Sequence, residues 1–95
     1  MKKYRVEIEN AAQKAISKLD VKVREKIVNW INENLEGCEN PRFQGKVLRG
    51  KLAGKWRYRV GDYRIIAEIQ DDKVVILVVD VNKRNDAYKK KNQYN

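Results

Sequence analysis

Apolar residues alternate with charged ones at the start of the chain, where Tyr4, Val6 and Ile8 are spaced as in an edge or half-buried strand. The period then lengthens. Ala12, Ala15, Ile16 and Leu19 fall at helical spacing behind Asn10 and Gln13, which read as a capping pair. A second helix follows, with Asp20 as its cap, Val23, Ile27, Trp30 and Ile31 as its apolar stripe and Gly37 as its stop. Together the two predict a helical hairpin.

Residues 38–54 break both periods. Pro41, Gly45, Gly50 and Gly54 predict a loop with short strand-like pieces. Three β-rich runs then cover 55–60, 63–70 and 73–81, separated by Gly61-Asp62 and Asp71-Asp72. Two-residue connections of this kind make antiparallel hairpins. The last run contains VVILVV, apolar on both faces, as a covered central strand requires. The order predicts an α+β fold: an N-terminal strand, then a two-helix hairpin packed on one face of a mainly antiparallel four-stranded sheet (β-α-α-β-β-β), with a short C-terminal helix as an option. With 95 residues the expectation is one domain over 1–95. So small a core leaves little for a deep cavity, which puts any site on a surface or in a shallow groove.

Composition narrows the chemistry. There is no histidine, and Cys38 is the only cysteine, which excludes imidazole-based triads, a disulfide within the chain and cysteine-based zinc clusters. The start MKKYRVEIEN lacks the apolar core of a signal peptide, and no run approaches the roughly 20 apolar residues of a membrane span. A cytoplasmic protein with no membrane partner is the expectation.

The net charge of +9 favours polyanions, nucleic acid above all, although basic surfaces also meet acidic proteins and membranes. Its location is more informative than its size. Residues 42–64 hold Arg42, Lys46, Arg49, Lys51, Lys55, Arg57, Arg59 and Arg64 against Asp62 alone. Residues 83–91 add Lys83, Arg84, Lys89, Lys90 and Lys91 against Asp86, and everything else sums to −2. For the terminal lysines, ordinary solvated surface is an equal alternative.

Pairing turns the first charge run into a site. A two-residue loop at Gly61-Asp62 sets Arg59 opposite Arg64 and Arg57 opposite Ile66, so that Arg57, Arg59 and Arg64 share one sheet face. Trp56, Tyr58, Val60, Tyr63, Ile65, Ala67 and Ile69 then share the other, an apolar set suited to the helices. Directly opposed like charges cost up to about 1 kcal/mol. A fold tolerates that cost where the pair meets an anion such as phosphate, which guanidinium groups engage with a planar donor set. Alternatively, both side chains splay into water or pair with Glu68 and Asp62. Carrying the register through Asp71-Asp72 puts Val75, Leu77, Val79 and Val81 on the arginine side, an apolar strip that needs a cover.

LRG, WRYRVGDYRI and KRNDAY, in that order and spacing within a short basic chain, resemble the RelE/ParE toxin superfamily, and most of all the RelE-like ribosome-dependent mRNA interferases. The likeness covers nearly the whole chain. It implies a toxin of a type II toxin-antitoxin system that enters the ribosomal A site and cuts translated mRNA, and that is neutralised by a tightly wrapped, acidic antitoxin. It also implies catalytic roles for Arg57, Arg59, Arg64, Arg84 and Tyr88. Family members often carry Lys where Arg59 stands and His where Lys83 stands; Arg59 stays charged and does not itself transfer a proton. Lys46, Arg49, Lys51, Lys55, Lys83, Lys89 and Lys90 become backbone contacts to mRNA or ribosomal RNA.

The chemistry so implied needs neither metal nor organic cofactor: the ribose 2′-OH attacks the adjacent phosphate, giving a 2′,3′-cyclic phosphate and a 5′-OH. Tyr88 is then the candidate base. Each pH unit by which a phenol falls below about 10 needs about 1.4 kcal/mol of preferential phenolate stabilisation, which neighbouring cations supply. Two other functions stay open. One is a ParE-like toxin that inhibits DNA gyrase without nuclease activity, and the other is a basic RNA-binding module that does not cleave.

Overall fold

A computed structural model of the chain describes residues 2–83. The first strand, β1 (Arg5–Ile8), leads into α1 (Asn10–Ser17) and α2 (Val21–Asn34). A long connection carries the two-residue strand β2 (Lys46–Val47) and a 3-10 turn at Gly50–Leu52. A meander of β3 (Trp56–Val60), β4 (Tyr63–Gln70) and β5 (Val75–Lys83) completes the described chain. The α+β order is as predicted, but the sheet has five strands, not four, in the order β1-β5-β4-β3-β2. β1 runs parallel to β5 and every other pair is antiparallel. The suggested C-terminal helix lies outside the described residues.

The helices form for the reason their spacing gave. Ala12 and Ile16 of α1, Ile27 and Ile31 of α2, and Leu35 just beyond it are buried in one cluster with Tyr58, Val60, Ile65, Ala67, Ile76, Val78 and Val81 of the sheet. Their ends differ in detail from the expected caps. Asn10 is the first helical residue, and Glu9 precedes it without a side-chain cap, while the Gln13 amide donates back to the Ile8 carbonyl at 3.0 Å. Asp20 does occupy the N-cap of α2, again without a side-chain hydrogen bond. After α2 the Gly37 N–H donates to the Tyr4 carbonyl, and the Tyr4 N–H to the Cys38 carbonyl, both at 2.8 Å, which ties the helix exit to the start of β1.

The Gly61-Asp62 hairpin is as predicted. Gly61 alone has a positive φ there, 59°, the pattern of a type II′ turn, whose first central position favours glycine. The register follows: Arg59 pairs with Arg64, Arg57 with Ile66 and Tyr58 with Ile65. β5 lies inside the sheet, between β1 and β4, as its two-sided apolar run requires.

The next connection is longer than the sequence suggested. Gln70 pairs with Val75, so residues 71–74 form a four-residue turn in which Val74 takes a φ of 56°. A bulge opposite Ile66/Ala67 then shifts the register: Ala67 pairs with Val78 and Ile66 with Asp80, leaving Val79 as the extra residue. Val75 and Leu77 stay on the arginine side, but Val81 turns to the helices, where it is buried. Asp80 and Asn82 take the positions that regular alternation would have filled with apolar side chains. The apolar strip is not bare either, since Ile66 and Val75 are buried.

Gly45 brings the backbone close against the core. A Cβ there would lie 2.8 Å from the Tyr58 ring and 3.1 Å from the Arg57 carbonyl oxygen. Tyr58 is fully buried and cannot swing aside. Gly45→Ala is therefore expected to cost about 1–3 kcal/mol of stability, read as a lower urea midpoint with an unchanged slope.

Candidate nucleic-acid interface

β2 adds a cation that hairpin register alone did not place. Lys46 pairs with Arg57, and Arg59 pairs with Arg64. Cross-strand partners share a face, and so do residues two apart on one strand. Lys46, Arg57, Arg59 and Arg64 therefore project from one face across three adjacent strands, with like charges opposed at both pairs. Arg57 and Arg64 are half-buried, whereas Lys46 and Arg59 are exposed.

Arg64 is held from the side. Its Nε donates to Asn82 Oδ1 at 3.3 Å, and Asn82 Nδ2 donates to Asp80 Oδ2 at 2.8 Å. The Val81 N–H donates to the other Asp80 oxygen at 2.9 Å. Burial lowers the Arg64 guanidinium from its ordinary value, the Asp80 carboxylate opposes that shift, and Arg59 adds to it. Arg64 is thus turned by an amide, rather than paired with Asp62 or Glu68. Asn82 and Asp80 were missed from sequence because only the bulge brings them to this face.

The predicted backbone contacts divide. Lys46 belongs to the cationic face, Arg49 and Lys51 sit on the exposed 3-10 segment, and Lys83 ends β5 opposite Tyr63. Lys55 Nζ lies 3.5 Å from Glu68 Oε2, a partly exposed ion pair. Arg84, Tyr88, Lys89 and Lys90 fall outside the described residues.

Beside the cationic face, the chain before β2 runs along β3 without pairing to it. Continued register would set Gly45 opposite Tyr58 and Gln44 opposite Arg59. Between them lies a shallow groove of about 350 Å³, lined by Trp30, Phe43, Gln44, Gly45, Lys46, Arg57 and Arg59. Trp30 reaches it from α2, its ring 5.8 Å from that of Tyr58. Phe43 and Trp30 were not singled out from sequence as groove residues. A lone loop aromatic inside the basic run was the available signal.

The 40–45 segment is pinned in place. Arg42 donates through both terminal nitrogens to Asp71 in the β4–β5 turn, at 3.1 and 2.7 Å, and its guanidinium carbon lies 5.7 Å from the Trp56 ring centre. The Tyr4 hydroxyl donates to the same carboxylate at 2.6 Å. Tyr58, on the helix side as its register predicted, donates its hydroxyl to the Pro41 carbonyl.

These contacts bear on the chemistry. Burial pushes the Tyr58 phenol well up, and the hydrogen bond to Asp71 raises that of Tyr4, so neither supplies a phenolate near neutral pH. Burial also raises the Cys38 thiol, leaving it a poor nucleophile. Among the described residues no group of three His, Cys, Asp or Glu side chains could hold a metal ion, and no helix is long and apolar enough to cross a membrane.

Fold and face together define a class: a small basic α+β domain whose helices cover one sheet face while the other carries a cluster of cations. Over residues 6–88 the sequence matches the family described as the ParE toxin of type II toxin-antitoxin systems, parDE. The chain belongs to that family, and so to the RelE/ParE superfamily of toxins. It is 34% identical over 82 residues to the mRNA interferase toxin RelE of Escherichia coli, covering 85% of this chain and 83% of that one. It is 29% identical over 87 residues to the toxin RelG of Mycobacterium tuberculosis, covering 92% of this chain and 98% of the relative. In three dimensions it matches a chain of the crystal structure of the toxin-antitoxin complex RelBE2 from M. tuberculosis, with a TM-score of 0.78 at 28% identity, over 86% of this chain and 99% of the other.

Arg42 and Tyr4 hold the Asp71 carboxyl down at about 2, below its ordinary 3.8. A depressed carboxyl stabilises the fold fully above the unfolded value and loses that contribution as pH falls through the folded one. Between about pH 4 and pH 2, the melting temperature of the parent should therefore fall more steeply than that of Asp71→Asn, as followed by circular dichroism.

Proposed function

We propose that this toxin is a ribosome-dependent endoribonuclease that cleaves translated mRNA. The observation that supports this most is the convergence of Lys46, Arg57, Arg59 and Arg64 on one sheet face, two of them half-buried and opposed to like charges. Directly opposed like charges work against stability, and a bound anion offsets that cost. The relationship to mRNA interferase toxins supports RNA as that anion.

In this reading the scissile phosphate lies on the arginine face. Arg64, turned by Asn82, and Arg57 engage its non-bridging oxygens and the charge that grows on them in the transition state. Tyr88, as phenolate, accepts the proton of the ribose 2′-OH while that oxygen bonds to phosphorus. The bond from phosphorus to the 5′ oxygen breaks, and the leaving oxygen takes a proton from water ordered by Arg84. The products are a 2′,3′-cyclic phosphate and a 5′-OH. Arg59 orients the attacking oxygen and, always charged, does not carry the proton. No metal or cofactor enters the sequence of steps.

Lys46, Arg49, Lys51, Lys55, Lys83, Lys89 and Lys90 serve backbone binding to mRNA and ribosomal RNA, with an affinity that falls steeply as salt rises. The setting is the cytoplasm, where translated mRNA is found. The inhibitory partner is an acidic antitoxin that wraps the basic surface. Relatives of this fold are known in toxin-antitoxin complexes, which supports that part of the reading.

Primer extension on mRNA from cells induced for the chain tests the proposal. Cuts within codons are expected with the parent, and Arg59→Ala, Arg64→Ala and Tyr88→Phe should each lower cleavage about 100-fold or more with folding retained. Unchanged cutting in these variants would remove the phosphate-clamp assignment. The ParE family match favours a second reading, a gyrase-directed toxin. It predicts intact mRNA together with trapped gyrase cleavage complexes.

A further inference from the structure

Phe43 is the most exposed large apolar side chain among the described residues, at 81%, and it lies outside the core cluster. The loop bearing it is nevertheless held firmly. Two residues before it the Pro41 carbonyl accepts from Tyr58, and next to it Arg42 is fixed by both oxygens of Asp71. After it, Gln44 Nε2 donates to Asn34 Oδ1 at 3.1 Å, and Gly45 lies against the Tyr58 ring. An aromatic ring is thus presented to solvent on a segment anchored on both sides, where it lines a groove together with Trp30, Lys46, Arg57 and Arg59. Among the described residues no acidic one lines it.

We infer that this groove is a nucleobase subsite, in which one unpaired RNA base stacks on Phe43 beside Trp30 while the phosphates flanking it lie on Lys46, Arg57 and Arg59. The inference rests on the RNA-cleaving function proposed above and assigns the place of a nucleotide next to the scissile bond. Its warrant is the combination of features. A cationic groove that tracks a phosphate backbone, with aromatic rings beside it, is how single strands are held without sequence preference, because every base has a π face. Charge complementarity selects RNA over an apolar protein segment, since three cations, with no acid among the described lining residues, oppose burial of aliphatic side chains alone. A space of about 350 Å³ lies at the small end of ligand pockets, suited to a single base rather than to a helix. Anchoring of the loop lowers the ordering cost of binding. Arg57 and Arg59 belong to both sites, so a base seated here places its own phosphate on the arginine face.

The test uses the full chain and a labelled six-nucleotide single-stranded RNA, made uncleavable by 2′-O-methylation, together with an abasic strand of the same length. Binding is read by anisotropy at low salt. Phe43→Leu should weaken binding of the RNA about tenfold, the effect of losing one stacked base, and Phe43→Trp should restore it. Both variants should bind the abasic strand as the parent does. Equal RNA affinity for parent and Phe43→Leu would overturn the subsite, and so would an equal loss on the abasic strand. If the parent cleaves mRNA and binds the RNA while Phe43→Leu is unaffected, only this inference fails. If the parent binds neither strand, this inference fails, while the RNA-cleaving function is decided separately by the cuts that primer extension reads.

Discussion

Everything on the cationic face depends on one turn. Gly61-Asp62 closes β3 onto β4 with two residues, and in a sheet a slip of one residue exchanges the faces of every side chain on a strand. With the turn as it is, Tyr58, Val60, Ile65 and Ala67 are committed to the helices, and Arg57, Arg59 and Arg64 to the opposite side. Hydrophobic burial outweighs the repulsion between opposed cations, so burial fixes the register and the fold carries the smaller cost of the like-charge pairs. Lys46 on β2 extends the same unfavourable pattern to a third strand.

Two local devices refine that surface. The bulge at Val79 withdraws Val81 into the core and substitutes Asp80 and Asn82 beside Arg64, so a guanidinium that would otherwise project from an apolar strip is turned by an amide and balanced by a carboxylate. At the other end of the face, Asp71 joins Arg42 and Tyr4, linking the β4–β5 turn to the loop before β2 and to the residue before β1. Solvent screening keeps the stability contributed by these exposed groups modest. Its contribution is geometric, since it fixes the segment that carries Phe43 alongside β3.

Much of this was legible from the residues. Helical spacing at Ala12, Ile16, Ile27 and Ile31 located the hairpin, and strict alternation from Trp56 to Ile69 gave both faces of the central hairpin. What escaped had physical reasons. In VVILVV both faces are apolar, so no pattern fixes where the register shifts, and neither the bulge nor the four-residue turn could be read. The two-residue β2 is too short to show a period, and its pairing supplied both the fifth strand and the fourth cation. The groove beside it depends on Trp30, Phe43 and Arg59 meeting from a helix, a loop and a strand far apart in sequence. No spacing rule joins them.

The central claim is that the opposed cations serve a ligand and not the fold. Thermal unfolding of the parent and Arg59→Ala, each at low salt with and without a single-stranded RNA, tests it most directly. Without RNA the variant should melt at or above the temperature of the parent, because the opposition to Arg64 is relieved. With RNA the parent should gain more, by mass action on the folded state. A variant that is clearly less stable without RNA, and that gains as much from RNA as the parent, would contradict the claim.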